Sequence, residues 1–183
     1  MKKLVLLVAL VACSLGASAQ IWVGGELGLG FKNPTGDAKT ELNDNTQTEF
    51  RIQPEIGYSL NEKWDIAIGL GFTSMTNEGN EKDNNYTKFN VNPYARYTFF
   101  NTGKVGFFVD GGVDFGILSP KEGDSTNEFS VALRPGIKFA ASEKITLVAH
   151  LGGLGYKTVQ DRYNEFGFNV DGRALSFGMY WTF

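Results

Sequence analysis

Apolar residues recur at every second position through most of this chain, the period of a β-strand rather than a helix. From the start of one such stretch, Ile21, Val23, Gly25, Leu27, Leu29 and Phe31 share a face. Trp22, Gly24, Glu26, Gly28, Gly30 and Lys32 share the other. The same two-faced pattern predicts further strands over 49–58, 64–73, 88–99, 105–117, 128–139, 145–152 and 174–183, the seventh being the least regular. These eight segments run to about 9–13 residues. A strand tilted across a bilayer needs about 9–11 residues, whereas soluble strands typically have about five or six.

The contents of the two faces decide which one looks outward. One carries the bulky apolar residues, such as Ile68, Leu70, Phe107, Val131 and Leu133. The other mixes glycine with charge: Glu26, Glu49, Arg51, Glu55, Asp65, Arg96, Asp110, Asp114, Arg134 and Lys138, with Tyr94 among them. Charges beside glycines suit a narrow interior, and bulky apolar residues suit acyl chains, which is the pattern of a transmembrane barrel. Trp22 falls on the charged face and breaks the rule. A closed sheet also leaves no unpaired edge in hydrocarbon. The fold class expected is therefore all-β, an eight-stranded antiparallel up-and-down transmembrane barrel.

Connection lengths agree with that topology. Short turns at 59–63, 100–104 and 140–144 alternate with longer polar connections near 33–47, 74–86, 118–127 and 156–165. Short periplasmic turns and long external loops are the rule in such barrels. Tyr58, Trp64, Tyr97, Phe99, Phe139 and Trp181 cluster near the short turns, where an interfacial girdle belongs. A hairpin-length repeat places Pro54, Pro93 and Pro135 in one frame. Proline lacks an N–H donor, so the repeat predicts a ring of bulges.

The N-terminus reads as an export signal. Lys2 and Lys3 precede an apolar stretch that is too short to span a bilayer, and Ala17-Ser18-Ala19 offers a small-x-small cleavage site. This assigns residues 1–19 to a cleaved signal peptide, with Gln20 the first mature residue, and 20–183 to the barrel. Lipidation at Cys13 is the competing reading, disfavoured by the short apolar run before it.

Composition removes other classes. The chain has 183 residues, net charge −3, one cysteine and one histidine. A disulfide framework, a cysteine zinc site and a basic nucleic-acid footprint are excluded. No cofactor is expected. His150-Leu151-Gly152 lacks a serine two residues after the histidine, and the bland reading of His150 is a hydrogen-bonded side chain in the lumen. Asp110 and Asp114, about 13 Å apart along one strand, are too distant for a retaining carboxylate pair.

Taken together, the signal peptide, the hairpin repeat and the terminal Phe177-Gly178-Met179-Tyr180-Trp181-Thr182-Phe183 resemble the small OmpA/OmpX-like outer-membrane β-barrels of the porin family. The resemblance covers the whole mature chain. It implies residence in a Gram-negative outer membrane, contact with outer-membrane lipids, and recognition of Phe177, Met179, Trp181 and Phe183 by the insertion machinery. It does not fix a role, because one scaffold hosts many. Two readings follow: a lumen filled by its own charges, serving envelope structure or binding an extracellular ligand through four loops, or a narrow channel. A soluble lipocalin-like carrier and a lipid-modifying enzyme rank below both. The acidic, Asn-rich loop segments 33–47 and 78–85 are the expected surface for a loop partner, and their Asn43-Asp44-Asn45 and Asp83-Asn84-Asn85 clusters are weak Ca²⁺ candidates.

Overall fold

A computed structural model describes residues 20–32, 46–78, 85–121, 123–160, 163–169 and 175–183. Ala17 and Ala19 of the expected cleavage site, Cys13 and nearly all of both loop clusters lie outside these residues. The alternating segments form long strands: β1 (Gln20–Lys32), β2 (Thr46–Ser59), β3 (Trp64–Glu78), β4 (Tyr86–Asn101), β5 (Val105–Pro120) and β6 (Thr126–Ala140). Then come β7 (Ile145–Leu151), β8 (Gly153–Val159), β9 (Tyr163–Asn169) and β10 (Leu175–Thr182).

Each strand pairs antiparallel with the next from β1 to β6, and β10 returns to β1, with Trp22 opposite Thr182 and Leu27 opposite Phe177. Strands β7 and β8 both pair with β6 and together make one stave, interrupted at Gly152 with φ +125°. Segments β9 and β10 pair with β8 and β7 in turn, so the ten strand segments among the described residues give a closed barrel of eight staves.

Orientation follows the two faces. Outward side chains are exposed, among them Leu29 (60%), Ile68 (42%), Leu133 (52%) and Phe177 (65%). Inward ones are buried, Asp110 and Phe108 completely. An inside-out arrangement of this kind is stable only where apolar side chains meet lipid. Trp22, the exception in the pattern, is 5% exposed and packs on Tyr180 at a ring distance of 4.4 Å. Glycine makes that packing possible: a Cβ on Gly57 would sit 2.0 Å from the Trp22 ring. At the short-turn end Trp64 packs on Tyr97 (4.8 Å), and Lys144 lies 5.9 Å from the Trp181 ring centroid.

Two expectations need correction. Only one of the three prolines marks a bulge. The register runs unchanged past Pro54 and Pro93, but at Pro135 it shifts by one residue, from Leu133 opposite Leu154 to Gly136 opposite His150, and a further shift lies between Thr98 and Phe100. What the prolines cost is ladder pairs: β2–β3 pairing skips Gln53 and Pro54, and β4–β5 pairing skips Asn92 and Pro93. Pro135 sits where β6 passes from β8 to β7, beside the Gly152 break. A missing donor removes a hydrogen bond without requiring an extra residue. The second correction concerns 156–165, expected as a loop. It lies largely within the β8–β9 hairpin, paired from Gly153–Asn169 to Val159–Tyr163.

Candidate functional site

The interior is divided into layers. At its centre Arg96 of β4 faces Asp110 of β5 in register, and the guanidinium donates from Nε to Oδ1 (2.7 Å) and from Nη2 to Oδ2 (2.8 Å). Asp110 also contacts His150 Nε2 from β7 at 2.8 Å. The other ring nitrogen, Nδ1, lies 3.2 Å from Glu26 Oε1 on β1. Ser176 donates to Glu26 Oε2 (2.8 Å), and Tyr180 Oη lies 2.9 Å from both Glu26 Oε1 and Glu55 Oε2. Tyr94 (2.7 Å) and Gln53 (2.5 Å) complete the Glu55 carboxylate.

Every carboxylate in this layer therefore has at least two partners, which is the condition for burying charge at tolerable cost. Aromatic rings close the remaining space. The Arg96 guanidinium carbon lies 4.0 Å from the Phe108 ring centroid and 5.2 Å from that of Tyr180, and Phe108 meets His150 edge-on at 5.2 Å. A planar, weakly hydrated guanidinium tolerates such stacking far better than an ammonium does.

Toward the long-loop end lies a cavity of about 280 Å³, with Gln53, Asn92 and Arg134 among its lining. Its walls carry a ladder of ion pairs: Lys88 to Asp114 (2.9 Å) and Glu128 (2.5 Å), Lys157 to Glu128 (3.0 Å), and Arg51 to Glu49 (2.7 Å). Asn90 donates to Asp114 as well. Toward the short-turn end a second cavity of about 210 Å³ is lined by Asp65, Lys104, Lys138, Trp22, Arg96 and Tyr180 among others. Glu26, Glu55, Asp110, His150 and Ser176 line neither cavity; they form the partition between them.

The ten charged residues singled out in the sequence thus fall into separate groups. Glu26, Glu55, Arg96 and Asp110 meet in the partition. Glu49, Arg51 and Asp114 belong to the upper ladder, Asp65 and Lys138 line the lower cavity, and Arg134 stands between partition and ladder. Phe177, Met179, Trp181 and Phe183 project outward from the last stave, all exposed. Gln20 opens β1 opposite Ser59. Sequence reasoning passed over Lys88, Glu128 and Tyr180 as site members, although each lies on an inward face.

One further constellation was also missed. Ser176 stands directly opposite His150, with Oγ 3.4 Å from Nδ1, and His150 contacts Asp110. The residue types are those of a serine hydrolase, supplied across strands rather than along one. The geometry differs. The Ser176 proton is directed to Glu26 at 2.8 Å, and neither cavity reaches the hydroxyl.

An apolar exterior around a closed antiparallel wall, with ion pairs sealed inside, defines an integral outer-membrane barrel. The chain belongs to the family described as outer membrane protein beta-barrel domain, whose model matches residues 5–183. It resides in the outer membrane. Among solved structures it is similar to Neisserial surface protein A, with 14% identity and a TM-score of 0.57 over 91% of this chain and 98% of the other. It is also similar to the N-terminal β-barrel domain of Pseudomonas aeruginosa OprF, with 12% identity and a TM-score of 0.52 over 90% and 96%. At these identities the likeness is one of fold. Among curated proteins none matches the chain.

Proposed function

We propose that this is a non-enzymatic envelope protein whose lumen is closed by its own side chains, acting in envelope structure or in surface contacts through its long-loop end. One observation carries the reading: the partition of Glu26, Glu55, Tyr94, Arg96, Asp110, His150 and Tyr180 lies between the two cavities. An eight-stranded barrel has an interior just wide enough for side chains to fill, and here bulky aromatic and paired charged groups fill it. The Ser176–His150–Asp110 set serves the partition, since a nucleophile without access to solvent or lipid has no substrate. The exposed apolar stripe of β10 ending in Phe183 supports recognition by the insertion machinery during assembly.

A second reading, a narrow channel, is favoured by the cavities themselves. Cationic side chains outnumber carboxylates in both linings, so a path through the partition would prefer anions. Planar-bilayer recording separates the readings. A closed lumen gives no steady conductance from the wild-type protein. Steady conductance that changes in Arg96→Ala or Asp110→Ala would overturn the closed reading and establish the channel.

A further inference from the structure

We infer that the cavity at the long-loop end is a binding pocket for a small oxyanion, held by the Arg134 guanidinium. Arg134 lacks a carboxylate of its own. It stands opposite Asp110 in the β5–β6 register, but Asp110 is fully engaged by Arg96 and His150. Among the described residues Arg134 makes no ion pair within 4.0 Å. One of its N–H groups donates to Asn92 Oδ1 (3.0 Å), and its guanidinium carbon lies 5.5 Å from the Tyr94 ring centroid. Asn92 is held in turn by its own bond to the Val113 carbonyl (2.8 Å), which fixes the Arg134 fork.

The wall beside that fork is hollowed out. Going up β6 from Arg134, the inward residues are Ala132 and Ser130 before the chain reaches Glu128. In register with Ala132, the neighbouring staves contribute Gly112 and Gly155. On this wall the row of Gly112, Ala132 and Gly155 contributes nothing larger than a methyl, while Tyr94 and Asn92 flank the guanidinium itself. This is a pocket built by omission, inside a cavity of about 280 Å³.

Its polar balance selects the ligand. The carboxylates in the lining are already engaged: Glu49 by Arg51, Asp114 by Lys88 and Asn90, and Glu128 by Lys88 and Lys157. The spare groups are donors, namely the remaining Arg134 N–H groups together with the Ser130 and Tyr86 hydroxyls, which have no hydrogen-bond partner among the described residues. They present N–H and O–H donors to whatever enters. A guanidinium fork matches the paired oxygens of carboxylate and phosphate. The ligand class is therefore a small oxyanion, free or carried on a larger solute that enters from the long-loop end. Binding at this pocket is independent of whether the partition conducts.

Isothermal titration of the full-length folded barrel in a nonionic detergent tests it, with inorganic phosphate in one arm and a sugar phosphate in the other. Saturable binding is expected in at least one arm, tighter for the sugar phosphate if the natural ligand is a carried group and equal if it is the free anion. Arg134→Gln and, separately, Ala132→Leu, which fills the hollow and keeps the charge, should each weaken binding by about tenfold or more, the size lost with one charge-assisted contact. Lys104→Gln, in the other cavity beyond the partition, should change it by less than about threefold, since a charge that far off is largely screened. Folding of each variant is read from its migration on an unboiled gel. If Arg134→Gln does not fold, Ala132→Leu alone decides. Absence of saturable binding in both arms, or binding that survives Ala132→Leu unchanged, overturns the inference.

Discussion

Arg96 and Asp110 face each other across β4 and β5 and join through two hydrogen bonds, at 2.7 and 2.8 Å, with Asp110 completely buried. The pair lies at the hub of the partition, because Asp110 also holds His150 and Arg96 also packs on Phe108 and Tyr180. Its value lies less in net attraction than in what is stranded when one half is removed.

Asp110→Ala leaves a buried guanidinium and an imidazole without their acceptor. Breaking a buried pair from one side costs about 3–5 kcal/mol. The midpoint for urea unfolding of the barrel, followed by gel migration without boiling, should fall accordingly. Replacing Arg96 and Asp110 together by Met and Leu should cost less than Asp110→Ala alone. A double variant as unstable as the sum of the two single ones would show that the pair is not coupled.

Gly57→Val places side-chain atoms where the Trp22 ring already lies, since even a Cβ would stand 2.0 Å away. Overpacking of this kind costs about 1–3 kcal/mol. Trp22→Ala in the same chain should recover part of the loss, and the double-mutant cycle measured by urea unfolding should show positive coupling. Additive losses would mean that the two residues do not share the space.

Leu133→Arg puts a cation on the outward face, beside the level of the partition. For a transmembrane barrel the cost near the bilayer midplane is about 2–4 kcal/mol. Refolding yield into phosphatidylcholine vesicles should drop sharply. Ser130→Arg, on the inward face of the same strand, should fold with a smaller loss. Equal losses at the two positions would remove the distinction between the faces.

Phe183→Ala should leave the urea stability of the refolded barrel within about 0.5 kcal/mol, the range of substitutions away from packed features. Its assembly in cells should nevertheless slow, read as the delayed appearance of the heat-modifiable form after a pulse of synthesis. Wild-type assembly kinetics in that variant would separate the terminal Phe from recognition by the insertion machinery.

Much of the wall could be read from period-2 alternation alone, because lipid outside and a crowded interior impose opposite demands on neighbouring residues. Trp22 shows where the binary reading loses information: an apolar residue on the polar face is core here, seated over Gly57. The β8–β9 hairpin was illegible for a different reason. Its 153–169 stretch is polar and rich in glycine, and its strands form by pairing with each other and with β6 rather than by burying an apolar face.

Inward placement of single charges could be read as parity, but their partners could not. Asp110 meets His150 from a strand that is not its sequence neighbour, and Glu26 meets Tyr180 across 154 residues of chain. Such pairings depend on closure of the barrel, which local spacing does not encode. Ser176 was hidden for the same reason, because it lies across from His150 rather than along its strand.

Glu26 of the first stave takes hydrogen bonds from Ser176 and Tyr180 of the last. A half-built sheet, still lacking β10, would hold that acid beside an imidazole with both hydroxyls missing. The final hairpin therefore acts as a keystone. A one-residue slip anywhere along the seam would swap ionised groups for greasy ones against the acyl chains, so the interior doubles as a proofreading device that rewards only the correctly closed cylinder.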